Sequence, residues 1–241
     1  MRSVTETEMV KRKDVFLTNP WELNPIWNVL TPEEKEEVVT NMEICHYRKN
    51  DIIHREGTTP THMMMLVAGK IKIFKDGIGM RQQIIRLLKP YDFFSYRGVA
   101  AGGTYNSTAV AIEQCTVYQL RKELFIDLLQ HNNQFCFLVM RNMAGALGAQ
   151  EAQTVSLTQK HIRSRLAEAL LKLKQDYGTD ADKVTIAMYM SRDDLAAMSN
   201  MTTSNAIRTL SQFAHEGLIS VDGRKIKILD EEALKRLDRL G

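Results

Sequence analysis

Three observations predict an α+β chain in which an antiparallel β-roll precedes a long helix and a winged helix-turn-helix. Short strand-like runs separated by turn signals fill residues 44–120, a pattern typical of a β-sandwich or small barrel. Residues 134–159 form one uninterrupted helical run. Residues 191–229 follow the order helix, turn, helix, hairpin. We therefore predict three segments, namely the roll with its N-terminal helices at 1–132, the long linker helix at 133–160 and the winged domain at 161–241.

The composition excludes several classes of protein. The 241 residues are 44% hydrophobic and carry a formal net charge of +3, so the chain can bury two cores and is only mildly basic. Cys45, Cys115 and Cys136 lie far apart without a CxxC pair, which argues against a zinc site or a disulfide framework. The charged N-terminal stretch has no apolar core of a signal peptide, and no run is long enough to span a membrane. We expect a soluble, cytoplasmic protein.

The first part of the chain is predicted to be helical and then β. Thr31 and Pro32, followed by two glutamates, mark a helix start. Trp21 and Trp27 are interpreted as packing anchors. Strands are predicted at 51–53, 63–74, 81–88 and 107–120, with a hairpin at Asp76-Gly77. Residues 95–106 contain three glycines without periodicity and are predicted to be an irregular loop. A roll of this kind can hold a small ligand.

A short amphipathic helix is predicted at 121–130, followed by the long helix. Met140 and Leu147 are one heptad apart, and the residues around Leu147 are unusually small, namely Ala144, Gly145, Ala146, Gly148 and Ala149. The long helix can therefore pair with a second copy of itself. The alternative, a helix packed only on its own domain, stays open.

The winged segment has explicit start and stop signals. A helix at 161–177 and a strand at 184–190 are predicted to precede it. Ser191 and Thr202 are expected to cap two helices, with Asn200 between them and Gly217 ending the second. The second helix has a predicted core face of Ala206, Leu210, Phe213 and Ala214, and a polar face of Ser204, Asn205, Arg208, Ser211, Gln212 and His215. A hairpin on Asp222-Gly223 and a helix at 231–240 complete the chain.

Several stretches resemble the cyclic-AMP receptor protein/FNR (Crp/Fnr) family of bacterial transcription regulators over about residues 44–229. They are Gly57 and Gly69 around MMMLVAGKIKIF, then LLKPYDFF, the long helix, and SRDDLAAMSNMTTSNAIRTLSQFAHEGLI. The resemblance implies a cupin-like, cyclic-nucleotide-binding-like β-roll and a homodimer paired through the long helix. It also implies allosteric control by an effector, binding to palindromic double-stranded DNA, and RNA polymerase as a partner.

The resemblance also places an effector pocket at Tyr96, Arg97, Asn106, Ser107, Gln150 and Glu151. In the cyclic-nucleotide branch, a Gly-Glu pair and an Arg-Ser pair hold the ribose and the phosphate; the matching positions here are Ser95-Tyr96 and Asn106-Ser107. Without the arginine, a buried phosphate would lack its charged partner. Arg97 is expected to point to the other face of an extended segment. We therefore expect that the protein does not bind cyclic AMP.

Two other cofactor classes can be compared with the sequence. The iron-sulfur branch of the family uses N-terminal cysteines, whereas the first cysteine here is Cys45, so an iron-sulfur cluster is not expected. Haem stays an open alternative, because Cys45, His46, His54, His62 and the run Met63-Met64-Met65 include possible axial ligands.

The best-known members of the family read G·C pairs with an arginine, a glutamate and a later arginine. Only the later one is kept, as Arg208, which we expect to bond guanine O6 and N7. Asn205 is expected to pair with adenine, and Thr203 or Ser204 to contact a thymine methyl or a phosphate. Candidates that position the protein on phosphates are Arg192, Arg224 and Lys225, and the remaining candidate DNA-binding residues are Thr202, Ser211 and Gln212.

The sequence also bears on two other classes of function. Residues 161–241 carry 13 Lys or Arg against 12 Asp or Glu, a net charge of +1, which leaves open a regulatory module that acts through protein partners. An enzyme is not expected, because no nucleophile–base pair, metal-ligand spacing or Gly-rich phosphate loop stands out.

Overall fold

The structure is a computed structural model that describes Pro20 and residues 24–239. It divides into two compact units, one formed by residues up to 74 together with 86–145, the other by 75–85 together with 146–241. The dividing line falls inside the long helix. The three segment boundaries taken from the sequence stay a prediction.

The N-terminal segment packs through a tryptophan, as predicted. Trp27 lies in a 3₁₀ helix, Pro25–Val29, and its side chain is fully buried with its ring 5.4 Å from Phe93 and 5.8 Å from Phe135. Trp21 lies outside the described residues. Helix α1 (Pro32–Asn41) begins at a complete capping box, in which the Glu34 amide donates to the Thr31 hydroxyl and the Thr31 amide donates to the Glu34 carboxylate.

Two four-stranded antiparallel sheets form the roll. The strands are β1 (Met42–Tyr47), β2 (Ile52–His54), β3 (His62–Ala68), β4 (Ile71–Asp76), β5 (Gln82–Leu88), β6 (Phe93–Phe94), β7 (Thr108–Ala111) and β8 (Cys115–Arg121). Their orders are β1-β8-β3-β6 and β2-β7-β4-β5. Alternate side chains of β3 enter different cores, because successive strand residues point to opposite faces. Met64 packs between the sheets, whereas Met63 and Met65 pack against the helices.

The run predicted as one strand at 63–74 is two strands, β3 and β4. Gly69 separates them with a φ of +92°, and a Cβ there would lie 2.4 Å from the Gln114 carbonyl oxygen. Only glycine fits this left-handed, crowded position. The hairpin predicted after β4 is confirmed, since β4 and β5 are neighbours. Its connection contains a 3₁₀ turn, Ile78–Met80.

The prediction of an irregular loop at 95–106 is wrong for its first half, which forms helix α2 (Tyr96–Ala101). Ser95 and Gly102 bracket the helix with φ values of +66° and +69°. Gly98 is the helix's own glycine, and a Cβ there would lie 3.0 Å from Pro60 Cγ. Gly98 therefore allows Pro60 to approach α2 closely, and Gly102 ends the helix. Neither glycine prevents the helix from forming.

Helix α3 (Lys122–His131) leads into the long helix α4 (Asn133–Gln159), and both were predicted. The N-terminal part of α4 packs on its own unit through the buried residues Phe135 and Val139. Other large apolar side chains of α4 are exposed, namely Phe137, Met140, Leu147 and Val155.

The second unit contains α5 (Ile162–Tyr177), α6 (Arg192–Met198), α7 (Thr203–His215), β9 (Ile219–Asp222), β10 (Lys225–Ile228) and α8 (Glu231–Arg239). The strand predicted at 184–190 is wrong, because only isolated bridges form there, Thr179 with Ile186 and Thr185 with Lys227. Hydrogen bonds from Val184 and Thr185 to Asp182 hold a tight turn at the start of the segment, which shortens any ladder. Among the described residues, none of the helices combines the length and apolarity needed to cross a membrane.

Candidate nucleic-acid interface

Helices α6 and α7 are joined by a tight turn whose residues were predicted from sequence. Ser191 caps α6, because its hydroxyl oxygen accepts from the Asp194 amide at 3.0 Å. Asn200 takes the left-handed conformation with a φ of +47°. Thr202 caps α7 by accepting from the Asn205 amide at 3.2 Å. Gly217, with a φ of +74°, follows the end of α7. These local signals fix where the second helix starts and stops.

Helix α7 buries one face and exposes the other. Ala206, Thr209, Leu210 and Phe213 are at most 3% exposed. The predicted core residue Ala214 is wrong, because it is exposed. It follows Phe213 by one residue, which is about 100° around the helix and beyond the buried stripe.

The polar face of α7 presents one guanidinium among small polar groups. Arg208 is exposed, and its Nη2 donates to the Asn205 side-chain oxygen at 2.9 Å. Thr203 donates to the Asp193 carboxylate of α6 at 2.6 Å, which ties the start of α7 to α6. The residues exposed on this face are Ser204, Ile207, Arg208, Ser211, Gln212 and His215. The structure therefore places Asn205 beside Arg208 and directs Thr203 partly into the protein.

Ile207 was missed by sequence reasoning. Its side chain is 48% exposed on the polar face, next in the chain to Arg208. A large apolar side chain is unusual on a solvated helix face, although single exposed ones occur. The available signal was its helical position, about 100° from Ala206 and outside the core stripe.

The wing is a two-stranded hairpin, shifted by one residue from the prediction. Asp222 pairs with Lys225, so Gly223 and Arg224 form the turn in place of Asp222-Gly223. Arg224 and Lys225 are exposed there. Arg192 of α6 is already engaged with this turn, because its Nη2 donates to the Gly223 carbonyl at 2.7 Å. Its contact therefore holds the wing against α6.

The residues predicted for an effector pocket belong to both compact units and differ in burial. Tyr96 is buried in the helix-side core, Ser107 is buried, and Asn106 is exposed. Gln150 and Glu151 belong to the second unit, where both are exposed on α4. Arg97 lies on α2, so the extended segment assumed for it is wrong.

A different polar cluster beside β2 was missed. The His54 ring is buried and stacks on Tyr105 with a centroid distance of 3.9 Å. Burial lowers the pKa of His54 to about 4, against a smaller raising effect from the Ser107 backbone, so the imidazole is neutral at pH 7. Burial raises the pKa of Tyr105, and the Ser95 hydroxyl offsets part of that effect. This cluster is polar but uncharged.

Arg86 was also missed. It is half-buried on β5, and its pKa is lowered first by burial and also by the nearby Arg97, whereas Tyr96 and Asp92 raise it. Arg86 therefore has both a cation, Arg97, and a carboxylate, Asp92, in its surroundings. No spacing rule links these positions in the sequence.

The possible haem ligands do not face one cavity. Met63 and Met65 belong to the helix-side core and Met64 to the core between the sheets. His46 and His62 each pair with a neighbouring threonine hydroxyl, at 3.2 Å and 2.9 Å. This arrangement does not fit a haem. Within the described part of the chain, no three His, Cys, Asp or Glu side chains are grouped as a metal site requires.

Two family models match the chain in the order of its two units. The cyclic nucleotide-binding domain matches residues 44–132, and the Crp-like helix-turn-helix domain matches residues 164–237. The first match identifies the domain type and not its ligand.

Known proteins are similar to this chain over most of its length. The CRP-like cAMP-activated global transcriptional regulator of Mycobacterium tuberculosis is 20% identical over 215 residues, covering 89% of this chain and 96% of its own. The nitrogen fixation regulation protein FixK of Azorhizobium caulinodans is 28% identical over 196 residues, covering 80% and 77%. The structure of FixK2 from Bradyrhizobium japonicum matches with a TM-score of 0.73 at 25% identity, covering 82% of this chain and 97% of that one.

The first of these relatives is a transcriptional regulator and the second a regulation protein, which agrees with the expectation that the chain is not an enzyme. The two domain matches, in this order and with full-length regulators aligned to them, show that the chain belongs to the Crp/Fnr family of transcription regulators and carries its helix-turn-helix DNA-binding domain.

Proposed function

We propose that the chain is a homodimeric regulator whose helix α7 reads palindromic double-stranded DNA under the control of an effector in the β-roll. The observation that carries the proposal is the exposed face of α7, where Arg208 stands among neutral side chains. Arg224 and Lys225 add exposed positive charge on the wing. A face without carboxylates around its guanidinium can approach phosphates and guanine edges. RNA polymerase as a partner rests on the family resemblance alone.

The exposed side of α4 supports the homodimer. Phe137, Met140, Leu147 and Val155 are each more than half exposed. At 3.6 residues per turn, these positions fall within about 80° of the helix circumference. A stripe of this width is the seam that a second, parallel helix covers. A second copy therefore supplies the partner that buries these side chains.

The base contacts we propose differ from those of the better-known members. Arg208 bonds guanine, and its hydrogen bond with Asn205 orients the guanidinium. Ile207, beside it, packs on a thymine methyl. Ser204, Ser211 and Gln212 contact phosphates or base edges, and Thr202 and Thr203 fix the helix start. Arg192 positions the wing that carries Arg224 and Lys225.

Replacing Arg208 with alanine is expected to weaken binding to the selected operator by about 1–3 kcal/mol, because a bidentate guanine contact is lost. Binding to random DNA should change little. Fluorescence anisotropy with an operator obtained by in vitro selection measures both. Arg236→Ala, an exposed arginine of α8, is the matched control and should leave both affinities unchanged. An equal loss on both DNAs for Arg208→Ala would refute base reading.

The same titrations at several salt concentrations separate DNA binding from a protein-partner role. Phosphate contacts give a steep linear fall of log affinity with log salt concentration. A wild-type protein that binds no selected duplex, or binds without that slope, would contradict the proposal and favour the protein partner.

The contact of Ile207 can be tested by removing only the thymine methyl. We expect uracil at the contacted position to weaken wild-type binding by about 0.8 kcal/mol, the value of one buried methyl-sized group. The Ile207→Ala variant should show no such penalty, so the double-mutant cycle gives a coupling energy. Ser211→Ala should keep the wild-type penalty. Equal penalties in the wild type and Ile207→Ala would rule the contact out.

Placing a charge in the α4 stripe should abolish pairing. Leu147→Glu is expected to weaken the dimer at least roughly 100-fold, because unpaired carboxylates would be buried at the seam. Sedimentation equilibrium measures the change. Ala149→Glu is the control, because Ala149 is exposed about 200° around the helix from Leu147. A Leu147→Glu protein that remains fully dimeric would exclude α4 as the seam.

Cyclic AMP is expected to give no binding heat in a calorimetric titration of the full-length protein. The cluster beside β2 is uncharged, and the position that carries the phosphate-binding arginine in the cyclic-nucleotide branch is the exposed Asn106. A phosphate there would lack a charged partner. Binding of the selected operator by the same sample is the control for activity. Saturable micromolar binding would overturn this prediction.

A further inference from the structure

One arginine links the end of the long helix to the turn of the helix-turn-helix. Arg165, in the first turn of α5, uses all three of its guanidinium nitrogens. Its Nε donates to the Ser199 carbonyl at 2.9 Å and its Nη2 to the Asn200 carbonyl at 3.1 Å. Its Nη1 donates to the Leu157 carbonyl at 3.0 Å and the Lys160 carbonyl at 3.3 Å. All five residues belong to the second compact unit.

The chemistry of the four acceptors explains why arginine suits this position. Leu157 lies in the last turn of α4, where carbonyls lack partners within the helix and carry the negative end of its dipole. Ser199 and Asn200 form the turn before α7, in which Asn200 is left-handed and its carbonyl is not used by a helix. A planar guanidinium has donors in a fixed fork, so it holds these carbonyls in one relative geometry.

Further side-chain contacts fix the end of α4. Lys160 forms an ion pair with Glu168 of α5 at 3.3 Å and another with Asp238 of α8. The Ser156 hydroxyl also donates to Glu168. The last turn of α4 and Lys160, the residue after it, are therefore bonded to α5 and α8, and Arg165 links them to the turn before α7.

We propose that Arg165 is a positioning residue that fixes the end of α4 relative to the recognition helix α7, and thereby sets the half-site spacing that the dimer accepts. The proposal rests on the proposed function, a dimer paired through α4 that reads two half-sites. The turn at Ser199 and Asn200 leads directly into the α7 cap at Thr202. If the geometry between α4 and this turn is fixed, then pairing of the two α4 helices in the dimer also fixes the distance between the two α7 helices.

This role separates spacing from half-site recognition. Without Arg165, each winged domain keeps its own base contacts, because α7 and its caps are untouched. The two domains lose a fixed distance and rotation relative to the paired helices. One inserted base pair moves a half-site by about 3.4 Å and turns it by about 34°, a change that a rigid dimer resists.

Arg163 provides a matched control on the same helix. Its Nη2 donates to Glu216 at 2.7 Å, its Nη1 to Gln212 at 3.3 Å, and its guanidinium lies 5.0 Å from the centre of the Phe213 ring. Arg163 therefore fastens α5 to α7 and its C-terminal end, and these contacts do not include the end of α4. Its loss is expected to affect the winged domain without affecting spacing.

The test compares full-length wild type, Arg165→Met and Arg163→Met on the selected operator and on operators with one central base pair inserted or deleted. Single half-site duplexes are titrated in parallel. We expect wild type to lose at least tenfold in affinity on the altered spacings. Arg165→Met should lose less than threefold, with half-site affinity within threefold of wild type. Arg163→Met should keep the wild-type spacing penalty.

Several results would overturn the proposal. One is an Arg165→Met dimer with the full wild-type spacing penalty, and another is an Arg163→Met dimer that relaxes spacing equally. If Arg165→Met does not fold, as judged by circular dichroism, Arg165→Lys replaces it, since lysine keeps the charge without the fork. The same spacing penalty in Arg165→Lys as in wild type refutes the role. Wild type that shows no sequence-specific binding refutes the proposed function itself, and this inference with it.

Discussion

The burial of one face of α7 is the constraint on which the winged domain depends. Phe213 is fully buried and Leu210 nearly so, and both require a covering layer that α5 and α6 provide. Once those side chains are inside, helical periodicity forces Arg208 outward. The caps at Ser191 and Thr202 then set where each helix begins, so the exposed face has a defined position along the chain. Base reading is a consequence of core packing at this site.

The parts of the fold that were predictable are those determined by neighbours in sequence. Thr31, Ser191 and Thr202 act as caps through bonds to residues three positions away, so spacing alone locates them. The 27 residues of α4 were found to within one residue at its start, because no breaker interrupts the run. The winged helix-turn-helix followed from the order of such elements.

The errors occurred where distant contacts decide local structure. Helix α2 was not predicted because its segment contains several glycines. One of them, Gly98, lies against Pro60, which leaves little room for a larger residue. The segment at 184–190 has the composition of a strand, yet its partners allow only isolated bridges. Ala214 was assigned to the core from its helical spacing, although the buried stripe is too narrow to include it. In each case, contacts with residues distant in sequence determine a structure that differs from the local preference.

The candidate site shows the same division. The periodicity of α7 alone assigns its residues to a buried or a polar face. Five of the residues predicted on the polar face are exposed, namely Ser204, Arg208, Ser211, Gln212 and His215. Ile207 was overlooked because apolar residues are assumed to be inside, a rule that fails wherever a helix is only half-covered. Arg165 could not be found at all, since its four acceptors are backbone carbonyls and carry no residue-type signal.

The proposed effector pocket is the hardest feature to infer because ligand binding depends on charge as well as position. His54 and Tyr105 are 51 positions apart in sequence, yet their rings stack at 3.9 Å. Burial keeps the imidazole neutral, so the cluster favours a ligand whose polar atoms exchange hydrogen bonds without a net charge. Arg86 senses both Arg97 and the Asp92 carboxylate, so the charge around it is mixed in sign, and no spacing in the sequence reveals that combination.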